Sequence, residues 1–175
     1  FMLYSGIVDT TVYAYKGIMV NEVFTSKVIT LNGQSMTIMD AIRATPEFNK
    51  VYIMLGMNEM GWIDLSYYKE CYAQLIDAIR EVNPDAIVYI EAIRPVTQSR
   101  SDSDPTFNNP RVEEFNTILR ELAEEKEAYY LDLADGLSDE TGALPEGEAY
   151  DGIHLSIDYC EKWLDYLKNH AIVEE

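Results

Sequence analysis

The feature that most constrains the fold of this chain is a regular alternation of short apolar runs with amphipathic helical patterns. Three continuous apolar runs predict buried β-strands: KVYIMLG (50–56), AIVYIEAI (86–93) and AYYLDLAD (128–135). A fourth run, TVYAYKG (11–17), alternates and ends on a glycine, and it also predicts a strand. Strands that are apolar on both faces are typical of a parallel sheet covered by helices on each side. The alternation therefore predicts a three-layer α/β/α domain with a mainly parallel sheet.

Three segments between and after these runs carry apolar residues at helical spacing. We predict helices over residues 65–83, 109–127 and 156–170. The Asn83-Pro84 pair ends the first helix, because the residue before a proline disfavours helical backbone. Pro110 suits the first turn of the second helix, where no backbone N–H is needed.

Two shorter features lie between the main elements. KVITLNGQSMTIM (27–39) has two β-like runs that flank Asn32-Gly33, and this dipeptide predicts a small inserted β-hairpin. TQSRSDSDPTFNNP (97–110) predicts a polar loop at the carboxyl end of a strand. With 175 residues in all, the chain can bury one sizeable core, and we predict a single domain over residues 1–175.

Charge and composition exclude several kinds of partner. The net charge is −18, and no basic run is present to neutralise phosphates, so nucleic acid is not expected as a partner. The apolar runs are far shorter than the ~20 residues of a membrane-spanning helix. Cys71 and Cys160 lie in helical patterns, where buried thiols are expected; a disulfide or a reactive cysteine is the alternative. No signal peptide is visible; the compartment stays open, with a secreted or cell-envelope location favoured over a cytoplasmic one, and an oligomer is possible.

The stretch AYDGIHLSID (149–158) pairs Asp151 with His154. Histidine is the side chain suited to act as a base near neutral pH, and it needs an acceptor that fixes its tautomer. A carboxylate three residues earlier can reach the ring Nδ1 across one turn. Taken alone, such a pair is more often a helix cap beside a surface histidine than a catalytic pair. His170, near the end of the chain, has no such partner in the sequence.

Two glycine-containing motifs follow predicted strands. In GMNEMGW (56–62), the Asn58 amide can donate to a developing oxyanion, or it can cap a turn. Glu59 and Trp62 are candidates to line a substrate cleft, although Trp62 could instead cover the sheet edge. Gly17 ends the first predicted strand, where its backbone N–H can be a second oxyanion donor or the residue can be a hinge.

The order of these motifs resembles the SGNH/GDSL hydrolase family. Gly17 matches the family's glycine block, Asn58 within GMNE matches the asparagine block, and DGIH supplies Asp151 and His154 for the final block. The resemblance implies a flavodoxin-like α/β/α architecture with catalytic Asp151 and His154 and with Gly17 and Asn58 as oxyanion donors. The asparagine block departs from the usual Gly-x-Asn-Asp, because Glu59 stands at its last position.

The nucleophile is the larger departure from the family pattern. The sequence contains no Gly-Asp-Ser block, so we expect the nucleophilic serine just upstream of residue 1, together with the first strand of the sheet. Ser5 is the alternative inside the chain. Too few residues separate Ser5 from the next predicted strand to form the crossover of 10–12 residues that a parallel pair requires.

The resemblance implies hydrolysis of small acyl esters through a serine acyl-enzyme, with acetyl groups on carbohydrate as one possible substrate. The expected partner is therefore a small-molecule or carbohydrate ester, and neither a metal nor an organic cofactor is required. Two alternatives stay open at this point. One is a non-catalytic binding or structural module on the same fold, and the other is an acyltransferase.

Overall fold

A computed structural model of the chain describes residues 10–172. The strands are β1 (Ile29–Leu31), β2 (Gln34–Met36), β3 (Lys50–Ile53), β4 (Ile87–Glu91) and β5 (Tyr129–Leu131). The helices are α1 (Ile38–Ala44), α2 (Leu65–Val82), α3 (Gln98–Ser103), α4 (Asn109–Glu125), α5 (Leu133–Leu137) and α6 (Ile157–Asn169). The chain forms two compact units, the first containing residues 12–91 and 117–130 and the second containing residues 10–11, 92–116 and 131–172.

The sheet has the order β3-β4-β5. Strands β3 and β4 pair in parallel, with Lys50 opposite Ile87 and Ile53 opposite Ile90. One tyrosine on each strand contributes to a row of rings across the sheet. The rings of Tyr52 and Tyr89 stack at 4.5 Å between centroids, and the ring of Tyr129 lies 5.5 Å from that of Tyr89. The parallel pairing confirms the α/β class that the apolar runs predict.

Helix α2 supplies much of the core of the first unit. It begins where the Asp64 carboxylate accepts hydrogen bonds from the backbone N–H groups of Ser66 and Tyr67, each at 3.1 Å. It ends at Asn83, as the Asn83-Pro84 pair predicts. Its buried stripe is aromatic and aliphatic: Tyr68, Cys71, Tyr72, Leu75, Ile76 and Ile79. The hydroxyls of Tyr68 and Tyr72 donate to the carbonyls of Leu55 and Ile53, which fixes the chain at the end of β3.

The inserted hairpin forms as predicted. Strands β1 and β2 are antiparallel, and Ile29 pairs with Met36. Asn32 and Gly33 both have positive φ, at 51° and 77°, and this geometry is that of the tight two-residue turn favoured by Asn-Gly.

The second unit is built around α6 and the segment that follows β4. The Ser156 hydroxyl accepts a hydrogen bond from the Tyr159 N–H at the start of α6, which buries Trp163, Leu164 and Leu167. In the first half of α4, the buried Asn116 amide accepts from the Ile93 N–H at 2.7 Å and donates to the Ile93 carbonyl at 2.8 Å. These two hydrogen bonds satisfy the backbone groups of Ile93, just beyond the end of β4, where the hydrogen bonds of the sheet have ended.

Residues 11–17 do not form the predicted strand. The chain there has no regular structure before a turn at Lys16 and Gly17, and within residues 10–172 no strand pairs with it. Its side chains are mostly exposed, except that the Tyr13 hydroxyl lies 2.8 Å from the Thr45 Oγ1, just after the end of α1. Alternating residues indicate which side chains share a face, but a strand also needs a neighbour for its backbone groups.

Two further predictions need correction. The segment 97–110 contains the short helix α3, because the Thr97 hydroxyl accepts a hydrogen bond from the Arg100 N–H and caps its first turn. The predicted strand 128–135 ends at Leu131, and α5 follows it. There the Asp132 carboxylate caps the new helix by accepting from the Ala134 N–H at 3.1 Å.

Other predictions concern burial and extent. Cys71 and Cys160 are buried free thiols, as the helical pattern predicts. No helix within residues 10–172 is long and apolar enough to cross a membrane. The expected upstream strand and Ser5 lie outside the described residues, and the single-domain organisation stays a prediction.

Candidate active site

Asp151 and His154 form a close pair in the second unit. The His154 Nδ1 lies 2.8 Å from the Asp151 Oδ2, and the same carboxylate's Oδ1 accepts hydrogen bonds from the backbone N–H groups of His154, at 2.8 Å, and Ile153, at 3.0 Å. Partial burial alone raises the pKa of the Asp151 carboxyl, but the His154 and Ile153 contacts outweigh it and hold the pKa well below its ordinary value. Asp151 is therefore a carboxylate across the neutral range, and it orients the imidazole.

The imidazole is presented to solvent. The His154 side chain is 73% exposed, so a reacting group can approach it. With Nδ1 bound to a carboxylate, Nε2 carries the lone pair that a general base needs. The pair is thus competent to take and return a proton.

The loop that carries this pair is fixed by its own backbone. The Tyr150 N–H donates to the His154 carbonyl at 2.9 Å, and Ala149 and Leu155 form an isolated antiparallel bridge. Ser156 then caps α6, and its hydroxyl donates to Glu148 at 2.8 Å. The loop therefore leads directly into α6, which confirms the helix predicted over residues 156–170.

A second set of contacts anchors the loop from the segment that follows β4. Arg94 is buried, and its guanidinium donates to the Ile153 carbonyl at 2.7 Å. Burial lowers the pKa of Arg94 to about 10, although Cys160 and the charge of Asp151 raise it. Arg94 therefore stays positively charged at neutral pH and supports the loop from inside.

Gly152 allows the close approach that this anchoring needs. The Thr97 N–H donates to the Gly152 carbonyl at 3.0 Å. A Cβ at Gly152 would lie 2.6 Å from the Arg100 Cβ and 2.8 Å from the Thr97 Oγ1, and its φ is +81°. The sequence analysis did not identify Arg94 or Thr97 as residues that anchor this loop. Two signals point to such an anchor: an arginine inside an apolar run, and the Asp-Gly pair at 151–152.

Gly17 lies in the first unit at the third position of a turn. The Ile18 N–H donates to the Tyr15 carbonyl at 3.3 Å, and the φ of Gly17 is +78°. A turn with positive φ at this position requires glycine or asparagine. The turn borders a small open pocket of about 160 Å³, lined by Tyr15, Lys16, Gly17, Ile18, Glu22, Ser26 and Val28.

Asn58 follows β3 on a short 3-10 helix, Met57–Glu59, and it is held against the turn that contains Gly17. The Gly56 φ of 135° turns the chain after the strand, and only glycine adopts such a value readily. The Asn58 Nδ2 donates to the Ile18 carbonyl at 2.8 Å, while the residue as a whole is exposed. An amide group has two N–H bonds, so one is available for a ligand.

Glu59 and Trp62 are the two residues predicted to line a substrate cleft, and the structure places them differently. Glu59 is completely buried, because its carboxylate turns inward to accept a hydrogen bond from the Val20 N–H at 2.6 Å. Trp62 is half-buried and stacks on Tyr67, with 5.4 Å between ring centroids. Direct contact between Trp62 and substrate stays a prediction. The buried position of Glu59 indicates that it supports the loop from inside and does not line a cleft surface.

The structure brings the candidate residues together in two groups. Gly17, Asn58 and Glu59 meet in the first unit through the segment 18–20, and Asp151 and His154 meet in the second. Their convergence on one cleft stays a prediction. Several described serines act in caps and turns: Ser66 binds Asp64, Ser99 binds Glu146, and Ser156 caps α6. No three His, Cys, Asp or Glu side chains within residues 10–172 form a metal-ligand cluster.

One family of known proteins matches most of the chain by sequence. The sequence model of the GDSL-like lipase/acylhydrolase family matches residues 13–158. No curated protein matches the chain.

Solved structures with the same fold include an acetyl xylan esterase, AlAXEase, with a TM-score of 0.65 and 15% identity over 89% of this chain and 77% of that one. A carbohydrate esterase family 3 protein from Talaromyces cellulolyticus has a TM-score of 0.61 and 18% identity over 87% and 66%. A peptidoglycan O-acetylesterase has a TM-score of 0.60 and 17% identity over 74% and 39%, so this chain spans well under half of that protein. At these identities the likeness establishes the fold.

Proposed function

This chain belongs to the GDSL-like lipase/acylhydrolase family, whose members hydrolyse acyl esters, and we propose that it cleaves esters of small acyl groups through a serine acyl-enzyme. The proposed substrate is an acetyl ester on a carbohydrate. The esterases with the same fold include proteins named for acetyl xylan and for peptidoglycan O-acetyl groups, which supports this class of substrate.

The observation that carries the proposal is the pairing of His154 Nδ1 with Asp151 Oδ2 at 2.8 Å. In the proposed reaction, His154 Nε2 takes the proton of the serine hydroxyl as the oxygen attacks the ester carbonyl. His154 then gives that proton to the leaving alcohol, and it activates a water in the same way to release the acid. Asp151 stabilises the imidazolium that forms in each step.

The negative charge that develops on the ester oxygen needs donors that are already in place. Gly17 N–H and the second Asn58 N–H are the proposed donors. The hydrogen bond from Asn58 to the Ile18 carbonyl supports this role, because it holds the Asn58 amide one residue away from Gly17. Preorganised donors lower the barrier because no reorganisation is needed when the charge forms.

We assign the nucleophile to a serine of a Gly-Asp-Ser block in the parent gene before residue 1, because the 175 residues contain no such block. The test compares the 175-residue chain with the chain extended by its natural upstream segment. Both are treated with a serine-reactive fluorophosphonate and assayed with p-nitrophenyl acetate. Labelling and hydrolysis by the extended chain alone are expected. Labelling of the shorter chain at Ser5 would overturn the assignment of the nucleophile, and no hydrolysis by either would overturn the function.

The second candidate is a non-catalytic carbohydrate-binding module, which the missing Gly-Asp-Ser block favours. Binding of an acetylated oligosaccharide without turnover by the extended chain is the result that distinguishes it. An acyltransferase on the same scaffold would instead transfer the acyl group to an added sugar hydroxyl in preference to water.

A further inference from the structure

We propose that Glu59 is a positioning residue, which fixes the turn that carries Gly17 against the loop that carries Asn58. This inference rests on the proposed function, since it deepens the account of the oxyanion donors. Glu59 itself touches no substrate in this role, because its side chain is completely buried.

Two adjacent side chains hold the two ends of one short segment. The Asn58 Nδ2 donates to the Ile18 carbonyl at 2.8 Å, and the Val20 N–H donates to the Glu59 Oε1 at 2.6 Å. Asn58 and Glu59 belong to one turn of 3-10 helix, so both contacts come from the same short element. Gly17 precedes the clamped segment by one residue, and its N–H therefore has a position set by this double contact.

The middle of the segment is held by a different residue. The Met19 N–H donates to the Glu22 Oε2 at 3.0 Å, within the same loop. Side chains thus satisfy three backbone polar groups of two successive peptide groups, in a region that has no sheet ladder within the described residues. The contacts of Asn58 and Glu59 connect this loop to the one after β3, whereas the contact of Glu22 stays within the loop, and this difference separates their role from that of Glu22.

Burial of the Glu59 carboxyl group costs folding free energy, which is more than a contact that only stabilises the fold would require. Its Oε2 has no hydrogen-bond partner among the residues that the structure describes. A buried polar atom without a partner costs free energy, and a glutamine would accept the same Val20 bond without a potential charge. Proteins retain such unfavourable groups at sites where a defined geometry is needed. Here the Glu59 contact fixes the geometry between the two proposed oxyanion donors.

The test uses the full chain in its active form with three variants: Glu59→Ala, Glu59→Gln and Glu22→Ala. A displacement of about 1 Å of a group at a reacting centre can lower the rate by about 10²-fold. Glu59→Ala should therefore lower kcat by about 10–100-fold and leave KM within about 2-fold. Glu59→Gln keeps an acceptor for Val20 and should retain kcat within about 3-fold. Glu22→Ala, which removes a contact that stays within the same loop, should lower kcat less than Glu59→Ala does.

Amide hydrogen exchange supplies a readout that does not depend on activity. The Val20 N–H should exchange at least about 10-fold faster in Glu59→Ala than in the wild type, and Glu59→Gln should restore its protection. If Glu59→Ala does not fold, Glu59→Met, which keeps the volume and removes the acceptor, takes its place. A folded Glu59→Ala or Glu59→Met variant with wild-type kcat and wild-type Val20 exchange overturns the proposal. If the wild type hydrolyses no ester, the proposed function fails, while Val20 exchange still decides whether the contact holds the loop.

Discussion

The Asp151 carboxylate binds His154 twice, at its ring through Oδ2 and at its backbone N–H through Oδ1, each at 2.8 Å. One side chain therefore fixes both the tautomer of the imidazole and the fold of the loop that presents it. Removal of this carboxylate should affect catalysis and local structure together, whereas removal of the ring should affect catalysis alone.

The first prediction concerns the general base. In the active form, His154→Ala should lower ester hydrolysis by about 10³-fold or more, because it removes the proposed acceptor of the serine proton. His170→Ala is the control: that exposed ring stacks on Tyr166, and its Nδ1 lies 2.8 Å from the Tyr166 carbonyl at the end of α6. Steady-state hydrolysis of p-nitrophenyl acetate measures both. Equal losses in the two variants would remove the assignment of His154.

The second prediction concerns Asn58. Loss of one oxyanion donor lowers kcat by about 10²–10³-fold, so Asn58→Ala should depress kcat much more than it raises KM. The same change removes the bond to the Ile18 carbonyl, which is worth about 1 kcal/mol of folding free energy. Asn83→Ala is a matched variant, because the Asn83 amide also donates to a loop carbonyl, that of Phe48. Asn83→Ala should lose at least as much stability, because the Asn83 Oδ1 also accepts from the Asp85 N–H, and it should keep its activity per folded molecule.

The third prediction concerns the pH dependence of stability. Burial raises the pKa of the Glu59 carboxyl above its ordinary 4.5, although the hydrogen bond from Val20 lowers it. The stabilisation from protonated Glu59 is complete below the pKa of the unfolded chain, and it is lost as pH rises through the pKa of the folded state. Glu59→Gln cannot ionise. Its free energy of unfolding, relative to wild type, should therefore increase between about pH 5 and about pH 8.

Urea denaturation at several pH values measures this difference. Glu47→Gln, at an exposed position, controls for the loss of one negative charge from a chain whose net charge is −18. A constant difference between Glu59→Gln and wild type across this range would contradict a raised pKa at Glu59.

The fourth prediction separates two costs of replacing glycine near the histidine loop. Gly152 and Gly142 have nearly equal φ values, +81° and +83°, but a Cβ meets Arg100 and Thr97 at Gly152 and nothing within 4 Å at Gly142. Gly142→Ala should cost about 1–2 kcal/mol from backbone strain alone. Gly152→Ala should cost a further ~1–3 kcal/mol from overpacking. Denaturant unfolding of both variants gives the difference, and equal losses would show that the Arg100 side chain yields freely.

The sequence predicts those parts of the fold that follow from local pattern. Apolar runs located β3, β4 and β5, and helical spacing located α2, α4 and α6 within a few residues. Residues 11–17 show the limit of that reasoning, because their alternation carries no information about a neighbouring strand. Helix α3 was missed because its six residues are all polar, and only the cap at Thr97 marks its start.

In the candidate site too, the sequence predicts the local contacts but not those between distant segments. Asp151 and His154 are three residues apart, so one turn of backbone brings them together and the sequence predicts the pair. The contacts of Glu59 with Val20 and of Arg94 with Ile153 span 39 and 59 residues of chain. Such contacts depend on how distant segments pack, and no local pattern of charge or hydropathy specifies them.

The row of Tyr52, Tyr89 and Tyr129 gives the sheet an optical signature of its own. Each ring belongs to a different strand, and two of them stack in nearly parallel planes, 6° apart. Aromatic chromophores held in a fixed chiral arrangement produce near-ultraviolet circular dichroism, which disappears when side-chain packing is lost even if secondary structure remains. Replacing Tyr89 by phenylalanine at the centre of the row would reveal the contribution of the Tyr89 ring to the spectrum. The refolding of the sheet can then be followed in real time without an added label.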